Sequence, residues 1–181
     1  EKPEFESKNE PTLCEVYDKE DTDITIGANS SSNTNASTLG YATVSGQKVK
    51  INGTLYLDIS MNFLNAILEF GPGAQIIIQP NKIMFAYRSK LYACVNMWRG
   101  ITVKGHGRLN MYTCEVEDAQ YAISAEKKSF LSLINDRFNR NYVGIRNVSA
   151  GSGTPSLNFN YFIGNTFICS EPLNDGYTSQ V

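Results

Sequence analysis

The 181-residue sequence is short of charge, of histidine and of long apolar runs. Each shortage removes a class of function. Only 19% of the residues are charged, and 18 acidic against 16 basic side chains leave the chain near neutral. A nucleic-acid footprint needs Lys and Arg clustered on one face; none stands in the chain, so no nucleic-acid partner is expected. No apolar run approaches the ~20 residues that a membrane-crossing helix needs, so no membrane span is expected. Residues 1–10, EKPEFESKNE, lack the apolar centre of a signal peptide. A cytosolic chain, a chain already trimmed of its signal and a piece of something longer all fit that start. Helical periodicity is weak throughout.

What the chain does have is a repeat of 22 residues. Ile101, Ile123 and Ile145 follow one another at that spacing, as do Leu109 and Leu131, and Met111 and Leu133. Gly100, Ala122 and Gly144 form a column of small residues beside the isoleucines. A fixed period of this size marks a chain that stacks one unit on the next. Apolar and polar residues alternate within the unit, which is a strand pattern. The expected fold is therefore all-β: a single-stranded right-handed parallel β-helix, or β-solenoid, of about five turns. Inward positions stack on their equivalents, and Ile, Val and Leu suit both that interior and extended backbone. The small column is expected where the chain bends closely past its neighbour.

Residues 1–46 read as an irregular N-terminal segment or cap, and residues 47–181 as the β-helix. The stretch 27–40, GANSSSNTNASTLG, has too little apolar surface to offset ordering and reads as a loop. Strand signals begin near Gln47 and turn at Asn52-Gly53. The stretch 61–70, MNFLNAILEF, fits helix or strand, and strand is preferred for Ala66–Phe70 because Ala66 lies 34 before Gly100. The spacing of 34 from Ile67 to Ile101 predicts a 12-residue insertion within residues 80–96, around Lys82–Tyr92. A second insertion, SAGSGTP at 149–155, has turn composition. Asn135, Asn139, Asn141 and Asn165 fall at predicted corners, where Asn tolerates left-handed backbone and bonds locally. Trp98 reads as a packing anchor.

Four cysteines permit up to two disulfides without assigning them. Cys94 and Cys114 lie 20 apart, close to one turn. Stacked strands sit about 4.8 Å apart, within reach of a disulfide. That pair is one expectation; two buried thiols in a ladder is the other. Cysteine usage, together with a composition rich in Asn, Ser, Thr, Gly and Tyr, leans toward an extracellular or cell-surface location after signal removal.

The segment CVNMWRGITVKGHGRLNMYTCEVEDAQYAI, followed by FNRNYVGI, resembles the right-handed parallel β-helix segments of secreted surface proteins from Bacteroidetes-type bacteria. The matching features are Cys94, Trp98–Ile101, Gly105–Gly107, Glu117–Ile123 and Phe138–Ile145. They cover about a third of the chain well. The resemblance implies an exported, multidomain parent with adhesive or structural roles.

Catalytic chemistry has few carriers. His106, the only histidine, stands in Gly105-His106-Gly107. Pectin-degrading hydrolases of this fold place N-T-D and D-D motifs before such a triplet and R-I-K after it, and this chain has none of them. Hydrolysis needs two carboxylates flanking one bond, so His106 reads as a turn residue and no catalytic residue is assigned. Glu115, Glu117 and Asp118 lie together, with Asp136 further on; no cofactor is expected, calcium, which takes six to eight oxygens, being the one these carboxylates would suit. Arg137 lies 22 beyond Glu115, which predicts an ion pair between lateral neighbours. Outward tyrosines would stack on sugars or on a partner. The candidate binding residues are Tyr112, Tyr121, Tyr142, Glu115, Glu117 and Arg137. The expected role is a non-catalytic structural or adhesive module of a surface assembly, with like or other chains, or glycans, as partners. A carbohydrate-active β-helix, lyase or glycan binder, is the alternative.

Overall fold

The computed structural model describes residues 11–148 and 157–170, with residue 173. It is a parallel β-solenoid of about six turns. The first turn comprises β1 (Ile24–Ile26), β2 (Asn33–Asn35) and β3 (Thr43–Ser45); the second β4 (Lys48–Ile51), β5 (Thr54–Leu57) and β6 (Met61–Leu64). The third holds β7 (Ile67–Phe70), β8 (Gln75–Ile78) and β9 (Ile83–Tyr87); the fourth β10 (Lys90–Tyr92), β11 (Gly100–Val103) and β12 (Arg108–Tyr112). The fifth holds β13 (Glu115–Glu117), β14 (Tyr121–Glu126) and β15 (Phe130–Ile134). β16 (Arg137–Asn139), β17 (Val143–Val148) and β18 (Asn158–Ile163) make the sixth, and β19 (Thr166–Ile168) starts another. Every first strand of a turn joins sheet A, every second sheet B and every third sheet C, all parallel.

The isoleucine column is the core ladder. Leu55, Ile76, Ile101, Ile123 and Ile145 stand in register in sheet B, and the first four are fully buried. Leu109 pairs with Leu131 and Met111 with Leu133 in sheet C. Sheet A contributes Val49, Leu68, Leu91, Val116 and Phe138. Burying a Leu or Ile side chain contributes ~1.5–3 kcal/mol, so these columns carry the fold. Trp98 anchors the interior: it is fully buried, stacks on Phe70 at 3.8 Å, and donates its indole N–H to the Glu117 carbonyl at 2.8 Å.

Gly100 has φ +96°, and a Cβ there would lie 1.7 Å from the Tyr121 carbonyl oxygen. Close approach explains this member of the small column. The column does not run the length of the solenoid, because Gln75 takes the position one turn before.

Corners are held by side chains that reach back one turn. Asn165 Oδ1 accepts from the Asp136 N–H, Asp136 Oδ1 from the Cys114 N–H, and Ser89 Oγ from the Ala66 N–H. At the next corner Asn141 Oδ1 accepts from the Ala119 N–H while its amide donates to the Val116 carbonyl. Asn135 takes the left-handed corner position, at φ 56°. Asn139 departs from expectation, because it lies within β16 and not at a corner.

Three boundaries differ from the sequence reading. The stack begins at Ile24 and not at Gln47, because β1, β2 and β3 pair with β4, β5 and β6. Within the Ser/Thr/Asn stretch lie β2 and the 3-10 helix η1 (Ala36–Leu39), where Ala36 is fully buried. Pairing with β5 and the burial of Ala36 on the core order a segment that average composition reads as loop. Finally, residues 82–92 are no insertion, since they hold β9 and β10. Ile101 pairs with Ile76, 25 earlier, so Ile67 is not its equivalent. The extra length lies in residues 93–99, between β10 and β11. The turn predicted at 149–155 lies outside the described residues, as do residues 171, 172 and 174–181.

That displaced insertion decides the cysteines. Lys90 pairs with Glu115, which sets Ser89, and not Cys94, beside Cys114. Cys94 instead bonds Cys14, with a Cα separation of 5.2 Å across 80 residues of sequence. Cys114 is a buried thiol, pushed up to about 11 by burial. The expected Cys94–Cys114 disulfide is therefore corrected.

The disulfide ties down α1 (Leu13–Tyr17). Thr12 caps it through a capping box: its hydroxyl accepts from the Glu15 N–H while the Glu15 carboxylate accepts from the Thr12 N–H. The helix packs by β10 on the outer face of sheet A.

Candidate functional site

The six predicted binding residues are not one site. Glu115 and Arg137 are lateral neighbours on sheet A, as expected, at 3.3 Å, and Lys90 meets the other Glu115 oxygen at 2.6 Å. Glu117 lies in the same strand but is 2% exposed, close to the N-terminus of α1, where it accepts from the Leu13 N–H and the Asn139 amide. Tyr112 stands on sheet C. Tyr121 opens β14 on sheet B, with the Arg146 guanidinium 3.3 Å from its ring centroid. Tyr142 is 45% exposed near the last turn.

The carboxylates considered for calcium are each otherwise engaged. Asp118 is fully buried against Arg140, whose Nη2 donates to both its oxygens at 2.6 Å. Asp136 faces inward and accepts backbone N–H groups from Cys114 and Ile134. Burial pushes Asp136 up to about 7, those two bonds opposing it. Glu69 goes the other way: burial acts to raise it, but bonds from Lys50 and Lys48 outweigh that and hold it below its ordinary value. Among the described residues, one group of donors gathers closely enough for a metal, Cys14, Asp18 and Cys94, within 4.8 Å of one another. Its two sulfurs are joined in the disulfide, so neither is a thiolate ligand. His106 is exposed at φ 65° in a turn, its backbone N–H bonded to the Lys128 carbonyl.

Two surfaces stand out instead. The first is the outer face of sheet C. Register places Phe85 beside Asn110, Tyr87 beside Tyr112, and Arg108 between Ile83 and Phe130. All four rings are half-buried. Phe85 and Tyr112 lie 5.5 Å apart, and the Arg108 guanidinium sits 5.0 Å from the Phe130 centroid. The alternation IMFAY at 83–87 carried the signal, but that stretch reads as an insertion while Ile67 and Ile101 are aligned.

The second surface is the C-terminal end. Phe159, Phe162 and Phe167 continue the inward columns of Leu131, Leu133 and Phe138, yet are 40%, 48% and 46% exposed. A cavity of about 290 Å³ opens there, lined by Phe138, Asn141, Gly144, Phe167, Ile168 and Cys169. At the other end, Ile26 and Val44 are buried, with Leu39 and Tyr41 packed against the core. Among the described residues, one end is closed and the other open.

Comparison with family models, with curated proteins and with solved structures finds no match to this chain.

Proposed function

We infer that this chain is a non-catalytic structural or adhesive module of an extracellular bacterial surface protein, of the kind that builds filaments or appendages. The observation that carries the reading is the open end, where three phenylalanines of the inward columns are exposed on strands that, among the described residues, pair on one edge alone. Exposed apolar patches of this kind mark interaction surfaces, and an unpaired strand edge is a template for another chain. The Cys14–Cys94 bond supports an oxidising compartment. The resemblance of Cys94, Trp98–Ile101 and Phe138–Ile145 to β-helix segments of secreted bacterial proteins favours the surface assignment.

Native mass spectrometry and light scattering at tens of micromolar test this. A dimer that Phe162→Asp returns to monomer is expected. A monomer at every concentration, with full amide protection in β17 and β18, overturns the assembly reading. A second reading, a carbohydrate-active module, is favoured by the ring-bearing outer face of sheet C.

A further inference from the structure

We propose that the outer face of sheet C binds a linear, carboxylated, β-1,4-linked polysaccharide laid along the solenoid axis. The proposal rests on the adhesive side of the reading above and gives it a ligand class. It does not depend on assembly through the C-terminal end.

Outward strand positions of a solenoid meet water, and polar residues serve there. Here consecutive rungs of one sheet carry rings: Phe85 and Tyr87 on β9, Tyr112 on β12 and Phe130 on β15. The inward residues between them, Met84, Ala86, Leu109 and Met111, are fully buried, so the ring positions are fixed by the core beneath. α1 lies by β10 in sheet A and η1 by β2 and β5 in sheet B, so both helices pack elsewhere. The rings stay half-buried, with Phe85 and Tyr112 tilted by 39° to one another.

Ring faces take the C–H face of a pyranose, and their neighbours supply what its hydroxyls need. Asn110 sits between Phe85 and Ser132 and offers both a donor and an acceptor. Adjacent rungs are spaced about 4.8 Å apart. A flat β-1,4-linked pyranose ribbon advances by nearly the same step per sugar, so successive sugars meet successive rungs. A protein partner would seek a desolvated pocket for an anchor side chain, and this face is a shallow ladder.

Charge narrows the ligand further. Arg108 is exposed beside Phe130, and Arg88 lies over Tyr87 at 5.1 Å. The outward columns from β6 to β15 hold Asn62, Leu64, Ile83, Phe85, Tyr87, Arg108, Asn110, Tyr112, Phe130, Ser132 and Ile134, with no Asp or Glu. A face with rings, amides and guanidiniums but no carboxylate suits a sugar that brings its own carboxylate.

Calorimetry with a β-1,4-linked mannuronate hexamer, and with cellohexaose as the neutral counterpart, tests the proposal on the intact chain. The mannuronate hexamer is expected to bind, more weakly as salt rises. Tyr112→Ala and Arg108→Gln are each expected to weaken binding roughly tenfold at unchanged melting temperature, while Tyr56→Ala, on sheet B, leaves it unaltered. Should Tyr112→Ala unfold the protein, Arg108→Gln alone decides. Equal binding of cellohexaose overturns the charge assignment. No binding of the mannuronate hexamer, binding indifferent to both variants, or binding only to anionic lipid vesicles overturns the site. Particle mass is scored separately, so a failure here leaves the assembly reading standing, and the reverse.

Discussion

Cys94 is bonded to Cys14 and holds a five-residue helix by β10 of a sheet it does not belong to. The bond closes a loop of 80 residues. The chain-entropy account gives ~4.5 kcal/mol for such a loop, and disulfides typically deliver ~2–4 kcal/mol. Cys94→Ser is therefore expected to lower stability by ~2–4 kcal/mol, with the solenoid's circular dichroism retained. Hydrogen exchange should rise at Leu13, whose N–H bonds Glu117. Unchanged urea midpoints with and without reductant would show that the helix is held by its packing alone.

The core ladder gives the sharpest mutational contrast. Ile123 is fully buried between Ile101 and Ile145, whereas Ile163 in the last turn is 55% exposed. Ile123→Ala should cost ~2–5 kcal/mol in denaturant unfolding. Ile163→Ala should stay within ~0.5 kcal/mol, as surface substitutions do. Similar losses for the two would mean that the open end is covered in solution.

The residues that repeat were legible because one turn stacks on the next and each inner column needs the same kind of side chain. Ile101, Ile123 and Ile145 fixed the period from β11 onward, and Glu115 beside Arg137 followed from it. Earlier turns were misaligned because their length varies: Leu55 to Ile76 is 21, and Ile76 to Ile101 is 25. Corners absorb that difference, and corner residues carry no periodic signal. The Cys14–Cys94 bond and the partners of Glu117 depend on where a short helix docks, which periodicity does not report. The first turn escaped for another reason. Asn33, Thr34 and Asn35 look like loop by composition, and pairing with Thr54, Leu55 and Tyr56 makes them strand.

Asn141 satisfies two backbone groups of the preceding turn, the Ala119 N–H and the Val116 carbonyl. Removing its amide leaves both without that partner at a corner where Ala119 is fully buried. A buried backbone group left unsatisfied costs ~1–3 kcal/mol. Asn141→Ala is expected to destabilise within that range, and Asn141→Asp less, because it keeps the acceptor. Equal losses would show that the donated bond to Val116 dominates.

Asp136 sets a pH dependence opposite to the usual one for a carboxylate. Its folded-state value is raised from 3.8 to about 7, chiefly by burial. Between those values the folded chain keeps the proton and the unfolded chain releases it. Its contribution is therefore fully present below about pH 4 and is lost as pH rises through 7. About three pH units at ~1.4 kcal/mol each bound that loss at ~4 kcal/mol. Asp118, raised to about 6 by burial against the pull of Arg140, acts in the same direction. Asp136→Asn isolates the first group: it does not titrate and keeps one of the two backbone N–H bonds. Wild type should exceed the variant in stability at pH 4, and the gap should shrink or reverse by pH 8. Urea unfolding at pH 4, 6 and 8 measures it. A gap that stays constant, or that widens with pH, would show that the Cys114 and Ile134 N–H groups hold Asp136 ionised throughout.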